Sequence, residues 1–209
     1  MPESKPSGTE YPPPPWRLRG HLWAGIFRAA EPVPLPGELC PLIGPRRLLI
    51  LLVRYEVGTL RYDELAIGTP ARRGLRVGLW MHGLWVSDPA SVRGGRDIWG
   101  LPKRLATFSW DAHGVRVADE AGPVAAFSVC LPGPCPIPFL VPVPFWGGGP
   151  DGLRFTVAAL AGRAGRGHLR IREGAVQLPG ALSEQPMVSL AAVPFTFTVP
   201  APKRGRRRG

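Results

Sequence analysis

At 209 residues with 44% hydrophobic and 20% charged side chains, the chain has room for one cored domain and an ordinary soluble composition. Its formal charge of +11 is uneven: Lys203, Arg204, Arg206, Arg207 and Arg208 supply five of it, and no nucleic-acid motif accompanies them, so no specific nucleic-acid partner is expected. The longest aliphatic run (48–53) is too short to span a bilayer, and the polar start MPESKPSGTE lacks a signal peptide's apolar core; a cytoplasmic protein with no membrane partner is expected.

Glycine and proline, 27 each, favour short strands and tight connections over long helices. Residues 1–10 read as a disordered leader and 202–209 as a disordered basic tail, which leaves 11–201 as one β domain. YPPPP (11–15) is a polyproline segment suited to lie extended on the body, and 16–30 carries the alternation of a first strand. Residues 31–45 are proline-punctuated and read as a loop or short helical turn. RRLLILLVRYEV (46–57) is a continuous apolar run, the signature of a strand buried on both faces. Residues 76–88 read as a further long strand.

Asp88 followed by Pro89 marks a helix start, with an end at Gly94–Gly95 or further on at Trp99. Residues 105–130 read as three short strands separated by His-Gly and Glu-Ala-Gly-Pro turns. Across 130–150, six alternating prolines argue against helix and against most sheet pairing. They predict an ordered crossing in which Ile137, Phe139, Leu140, Val141, Phe145 and Trp146 are buried. Residues 153–176 suggest a hairpin turned at Gly165–Gly167, and 188–200 a last strand. The expected architecture is mainly β: a single antiparallel barrel or sheet with one or two short helices.

The usual nucleotide, zinc-protease and hydrolase motifs are missing from the sequence. The histidines, His21, His82, His113 and His168, are scattered, and Cys130 and Cys135 form a lone C-x4-C without a second pair; with Cys40 they read as structural thiols. No metal is expected. The one place that invites chemistry is RDIWGLPKRLA (96–106), where Lys103 stands among Ile98, Trp99, Leu101 and Leu105. An amine attacks a ketone only when neutral, and at a usual pKa near ~10.4 about one lysine in two thousand is neutral at pH 7. Loss of water and a nearby cation both favour the neutral form. Neighbours in an extended segment point to opposite faces, so desolvation by Trp99, Leu101 and Phe108 weighs more than Arg104.

Gly95, Arg96, Asp97, Gly100, Pro102, Lys103 and Arg104 together resemble the lysine motif of the acetoacetate decarboxylase family. RYDELAIG (61–68) resembles the family's Tyr-x-Glu segment, with Glu64 39 positions before Lys103. YPPPPWRLRG and PMVSLAAVPFTFTVP are similar to its opening and its final strand, so the resemblance covers about residues 11–200. It implies that Lys103 forms a Schiff base with a small β-keto acid or ketone and that CO2 leaves through an enamine. Aldol-type condensation and dehydration on the same lysine, or ligand binding alone, are the alternatives. It further implies Glu64 as a catalytic carboxylate, with Asp63 a competitor, and Arg104 as the charge disfavouring protonation of Lys103. The family's carboxylate-attracting arginine falls on His21 without gaps, or on Arg19 if the loop shifts. Trp99 and Leu101 are the candidate pocket wall, and Arg96 and Asp97 pair with each other or with backbone. No cofactor is implied, since the imine is itself the electron sink. The resemblance also suggests a homo-oligomer.

Overall fold

The structure is a computed structural model that describes residues 11–131, 136–149, 152–172 and 181–202. The leader (1–10), Cys135 and residues 203–209 of the basic tail lie outside the described residues. In chain order the strands before the helix are β1 (Trp16–Arg28), β2 (Cys40–Pro41), β3 (Arg47–Gly58), β4 (Tyr62–Arg73) and β5 (Arg76–Val86). Helix α1 (Pro89–Trp99) precedes β6 (Lys103–Leu105), β7 (Thr107–Asp111), β8 (Gly114–Asp119) and β9 (Gly122–Cys130). The chain finishes with β10 (Ile137–Gly147), β11 (Arg154–Gly165), β12 (His168–Ile171) and β13 (Val188–Val199).

Strands β4, β3, β1, β13, β11, β10 and β5 pair in that order, and pairing of β4 with β5 closes the ring into a barrel. All of its contacts are antiparallel except β10 with β5, a parallel seam of two residue pairs, Phe145–Leu79 and Trp146–Trp80. The remaining strands form a second sheet in the order β12, β9, β8, β7, apart from β2 and β6, which extend the barrel sheet at its edges.

Period-two alternation explains why β3 is apolar throughout. Leu49, Leu51, Val53 and Tyr55 face the barrel lumen. Leu48, Ile50 and Leu52 face outward into a core shared with Phe27, Leu65, Ile67 and, from the second sheet, Val115, Val117, Phe127 and Leu169. Each such side chain contributes on the order of 1.5–3 kcal/mol by burial. The small sheet is thus a lid over one outer wall, and the expected both-face burial of 46–57 comes from lumen on one side and lid on the other.

Helix α1 starts as the sequence indicates: Asp88 accepts from the Ser91 amide at 2.7 Å, and Pro89 opens the first turn. It runs through Gly94–Gly95 to Trp99 and stops at Gly100, whose φ of 67° is left-handed. Two expectations fail. The proline-rich segment is a full strand, with Ile137–Gly147 in continuous register against Arg154–Ala164 of β11. In an antiparallel ladder alternate residues donate to opposite neighbours, so Pro138, Pro142 and Pro144 all forfeit donors on the side away from β11, where β5 pairs for only two residues. Ile137 (73% exposed) and Leu140 (75%) are accordingly on the surface, and only Phe145 and Trp146 of that run are buried. Nor is 153–176 a hairpin: β12 leaves β11 and pairs with β9 in the second sheet. Residues 31–45 are loop, the first of the two expected alternatives, apart from the two-residue strand β2, and Cys40 and Cys130 are exposed free thiols.

On β5, the His82 Nε2 lies 2.8 Å from Thr69 Oγ1, and burial pushes the imidazole down to about 4. An unfolded histidine titrates near ~6.5, so between those values the unfolded chain binds the additional proton and stability falls as pH drops through that window. His82→Gln is expected to flatten this part of the stability curve, checked by denaturant midpoints measured across it.

Candidate active site

Lys103 reaches the barrel interior through a short chain of local constraints. Gly100 turns the chain out of α1, and β6 then pairs in parallel with the end of β5, Lys103 opposite Leu84 and Arg104 opposite Trp85. The Arg96 Nε donates to the Lys103 carbonyl at 2.7 Å, which fixes the strand to the helix it follows. The glycine pair inside α1 now has a reason. A Cβ on Gly95 would stand 2.5 Å from Lys103 Cδ, and one on Gly94 would stand 2.6 Å from the Trp16 ring. Bare backbone lets the helix lie against the lysine stem, at the helix-propensity cost of about 1 kcal/mol per glycine.

The amine is 3% exposed as a residue and fully partnered. Its Nζ donates to Glu64 Oε2 at 2.8 Å, to Ser91 Oγ at 3.0 Å and, more weakly, to the Tyr62 hydroxyl at 3.4 Å. The rings of Tyr62 and Trp16 lie 5.0 and 5.9 Å from the same nitrogen. Glu64 comes from β4, where it pairs with Val53 on one side and Val86 on the other, and is 8% exposed. Burial first, and then the Glu64 carboxylate, hold the phenols of Tyr55 and Tyr62 well above the usual tyrosine value, so both carry their protons. These groups form the inner end of a lumen of about 590 Å³ lined by Leu, Val, Ala, Phe, Trp and Met side chains from every barrel strand. Among the described residues, Lys103 and Glu64 are its only charged lining groups.

Of the residues singled out in the sequence, Lys103, Glu64, Trp99 and Leu101 meet in this lumen. Trp99 packs edge-on to Trp16 at 4.8 Å and donates Nε1–H to the Pro200 carbonyl. Arg104 is not brought there. It is exposed beside a buried Lys103, because the two alternate across β6. Arg19 and His21 also lie off the lumen. On β1 it is Trp16, Leu18, Leu22 and Ala24 that face inward, while Arg19 is exposed and His21 sits against Glu56 (3.8 Å) and Trp23. Asp63 turns outward to Trp110 Nε1 (3.1 Å) and Arg54 (3.9 Å), which leaves Glu64 alone on the inner face. Phe108 belongs to the core under the lid. Arg96 pairs with backbone, as one alternative had it, and not with Asp97. Sequence reasoning gave no role to Tyr62, Ser91, Trp16 or Tyr55. Tyr62 was visible within Tyr-x-Glu; Ser91 had a signal only in its place three residues after the cap Asp88, on the turn that faces the lysine.

Removing one member of a buried ion pair strands the other, at a cost of about 3–5 kcal/mol. Glu64→Leu alone is therefore expected to destabilise the fold by that order, and the double variant Glu64→Leu, Lys103→Met to recover most of it. Denaturant unfolding of the two single variants and the double variant checks the coupling.

The profile of the family "Acetoacetate decarboxylase (ADC)" matches residues 30–127, a span containing both Glu64 and Lys103. Acetoacetate decarboxylase 2 of Mesorhizobium japonicum is 31% identical over 114 residues, 51% of this chain and 41% of the relative. Acetoacetate decarboxylase 1 of Bradyrhizobium diazoefficiens is 30% identical over 115 residues, 51% of this chain and 43% of the relative. The matched part thus spans less than half the length of these curated relatives. Among solved structures, acetoacetate decarboxylase from Legionella pneumophila superposes with a TM-score of 0.65 at 18% identity, over 97% of this chain and 91% of that one. The enduracididine biosynthesis enzyme MppR with HEPES bound gives 0.66 at 16%, over 94% and 90%. The solved structures share the fold, and over residues 30–127 the chain is similar to the acetoacetate decarboxylase family.

Proposed function

We propose that the protein is a Schiff-base lyase in which Lys103 forms an imine with a keto acid or ketone. The observation that carries this reading is a single amine at the inner end of an apolar lumen, 2.8 Å from a carboxylate. Glu64 takes the proton that Nζ must lose before it attacks the carbonyl carbon. Glu64 passes that proton to the carbinolamine hydroxyl, which leaves as water with the Tyr62 O–H beside Nζ as a hydrogen-bond donor, and a protonated imine remains next to the Glu64 carboxylate. For a β-keto acid, the electron pair of the bond to the carboxylate moves into the iminium. CO2 departs, and an enamine remains. Protonation of the enamine carbon and hydrolysis of the iminium release the ketone and return Nζ. The imine supplies the electron sink, so the chemistry calls for no metal or organic cofactor.

One observation favours a second reading on the same lysine. Arg19 and His21 stand off the lumen, so among the described residues no further cation faces a substrate carboxylate there. A neutral carbonyl leaves the iminium and Glu64 as a balanced pair. The same enamine would then make or break a carbon–carbon bond to an aldehyde. MppR, with this fold, has been solved with the condensation product of pyruvate and imidazole 4-carboxaldehyde.

Borohydride reduction with a ketone or keto acid, followed by peptide mass analysis, tests the shared step. A reduced adduct is expected on the peptide carrying Lys103 and none in Lys103→Ala; an adduct elsewhere, or none, overturns the proposal in favour of simple ligand binding. Glu64→Gln is expected to slow trapping by about two orders of magnitude or more. Release of CO2 from β-keto acids separates decarboxylation from aldol-type cleavage.

A further inference from the structure

The lumen is much larger than its chemistry requires. A compound the size of acetoacetate would occupy a small part of 590 Å³, next to Lys103. The rest is walled by apolar side chains, and an apolar cavity without polar partners does not hold ordered water. Left empty, the walls forgo the dispersion contacts that close packing would give them. The polar groups are confined to one end. Tyr55, Tyr62, Glu64 and Lys103 are all buried there, with Tyr55 against Tyr62 at 4.8 Å and against Phe195 at 5.8 Å between ring centres.

The other end is open. Val141 and Leu190 line the lumen and are nevertheless 42% and 40% exposed, so solvent reaches them through a mouth. Strand β1 measures the distance between the ends. Its lining runs from Trp16, whose ring is 5.9 Å from Nζ, to Ala24, the register partner of Leu190. At ~3.3 Å rise per residue and a strand tilt of about 40°, the lumen is on the order of 15–20 Å long.

We propose that the site takes a carbonyl compound bearing an elongated, uncharged apolar tail, the carbonyl at Lys103 and the tail running along the lumen toward Val141 and Leu190. The placement of the carbonyl rests on the imine reading above; the tail rests on the lumen alone. A charged group partway along the tail finds no partner among the described lining residues, whereas an alkyl or aryl chain finds walls on every side.

Two series measured on the whole protein test this. In the first, acetone, butanone and longer methyl ketones up to methyl nonyl ketone are trapped with borohydride and their half-saturating concentrations compared. In the second, the matching secondary alcohols, which cannot form an imine, are titrated by calorimetry. Affinity is expected to rise roughly fourfold per added methylene in both series, the fold-change that corresponds to ~0.8 kcal/mol for each buried CH2. A carboxylate placed partway along the tail, short of the mouth, is expected to cancel the gain, and Ala24→Phe to shift selectivity toward shorter ketones. Affinity that stays flat or falls with chain length in both series overturns the inference, even if acetone is trapped on Lys103. Alcohols that bind more tightly with length while no ketone is trapped support the tail and overturn the imine.

Discussion

The buried contact between Lys103 and Glu64 is the constraint around which the rest is arranged. Two opposite charges can sit in an apolar barrel only as a close, hydrogen-bonded pair, since each alone would cost several kcal/mol to desolvate. The two come from β6 and β4, elements that do not pair with each other, and both adjoin β5. Strand β5 therefore sets their separation, antiparallel to β4 and parallel to β6. Ser91 and Tyr62 satisfy what remains of the ammonium's donors. The same geometry that makes the pair tolerable also limits which groups can meet it, because the other described residues lining the lumen are aliphatic, aromatic or thioether side chains without charge.

The helix serves that pair more than it serves the core. It is a short, cold-spot helix by propensity, with two adjacent glycines, yet it is capped at both ends and continues through them. The glycines exchange intrinsic helix stability for proximity: one side of the backbone lies against the lysine stem, the other against Trp16. Arg96 completes the arrangement by binding the Lys103 carbonyl, so the residue's backbone and its aliphatic stem are held by the same helix.

Much of this was legible in the sequence where the signal was local or strictly periodic. The Asp88–Pro89 start, the three short strands after Leu105 and the doubly buried run at 46–57 are of that kind. The inward face of Glu64 over Asp63 follows from the period of two once β4 is in place. What failed had a different cause. The prolines of β10 argue against most sheet pairing, but proline forbids only a donor, and a strand whose second neighbour is nearly absent loses little by lacking them. Arg19 and His21 were placed by resemblance, and the inward face of β1 belongs to Trp16, Leu18, Leu22 and Ala24. Ser91 had no signal of its own, because its partner is a side chain twelve positions away across a turn.

The parallel seam between β10 and β5 gives the barrel wall a different character from the rest of the ring. Long antiparallel ladders hold every other contact, while here two residue pairs join the edges, and the neighbouring prolines prevent the ladder from lengthening. The same missing donors make that edge a poor template for an added strand from another chain. A ring joined this way opens most cheaply at one line, by a local event that leaves the long ladders intact. The line between β10 and β5 is thus where the barrel wall has the fewest ladder pairings to lose.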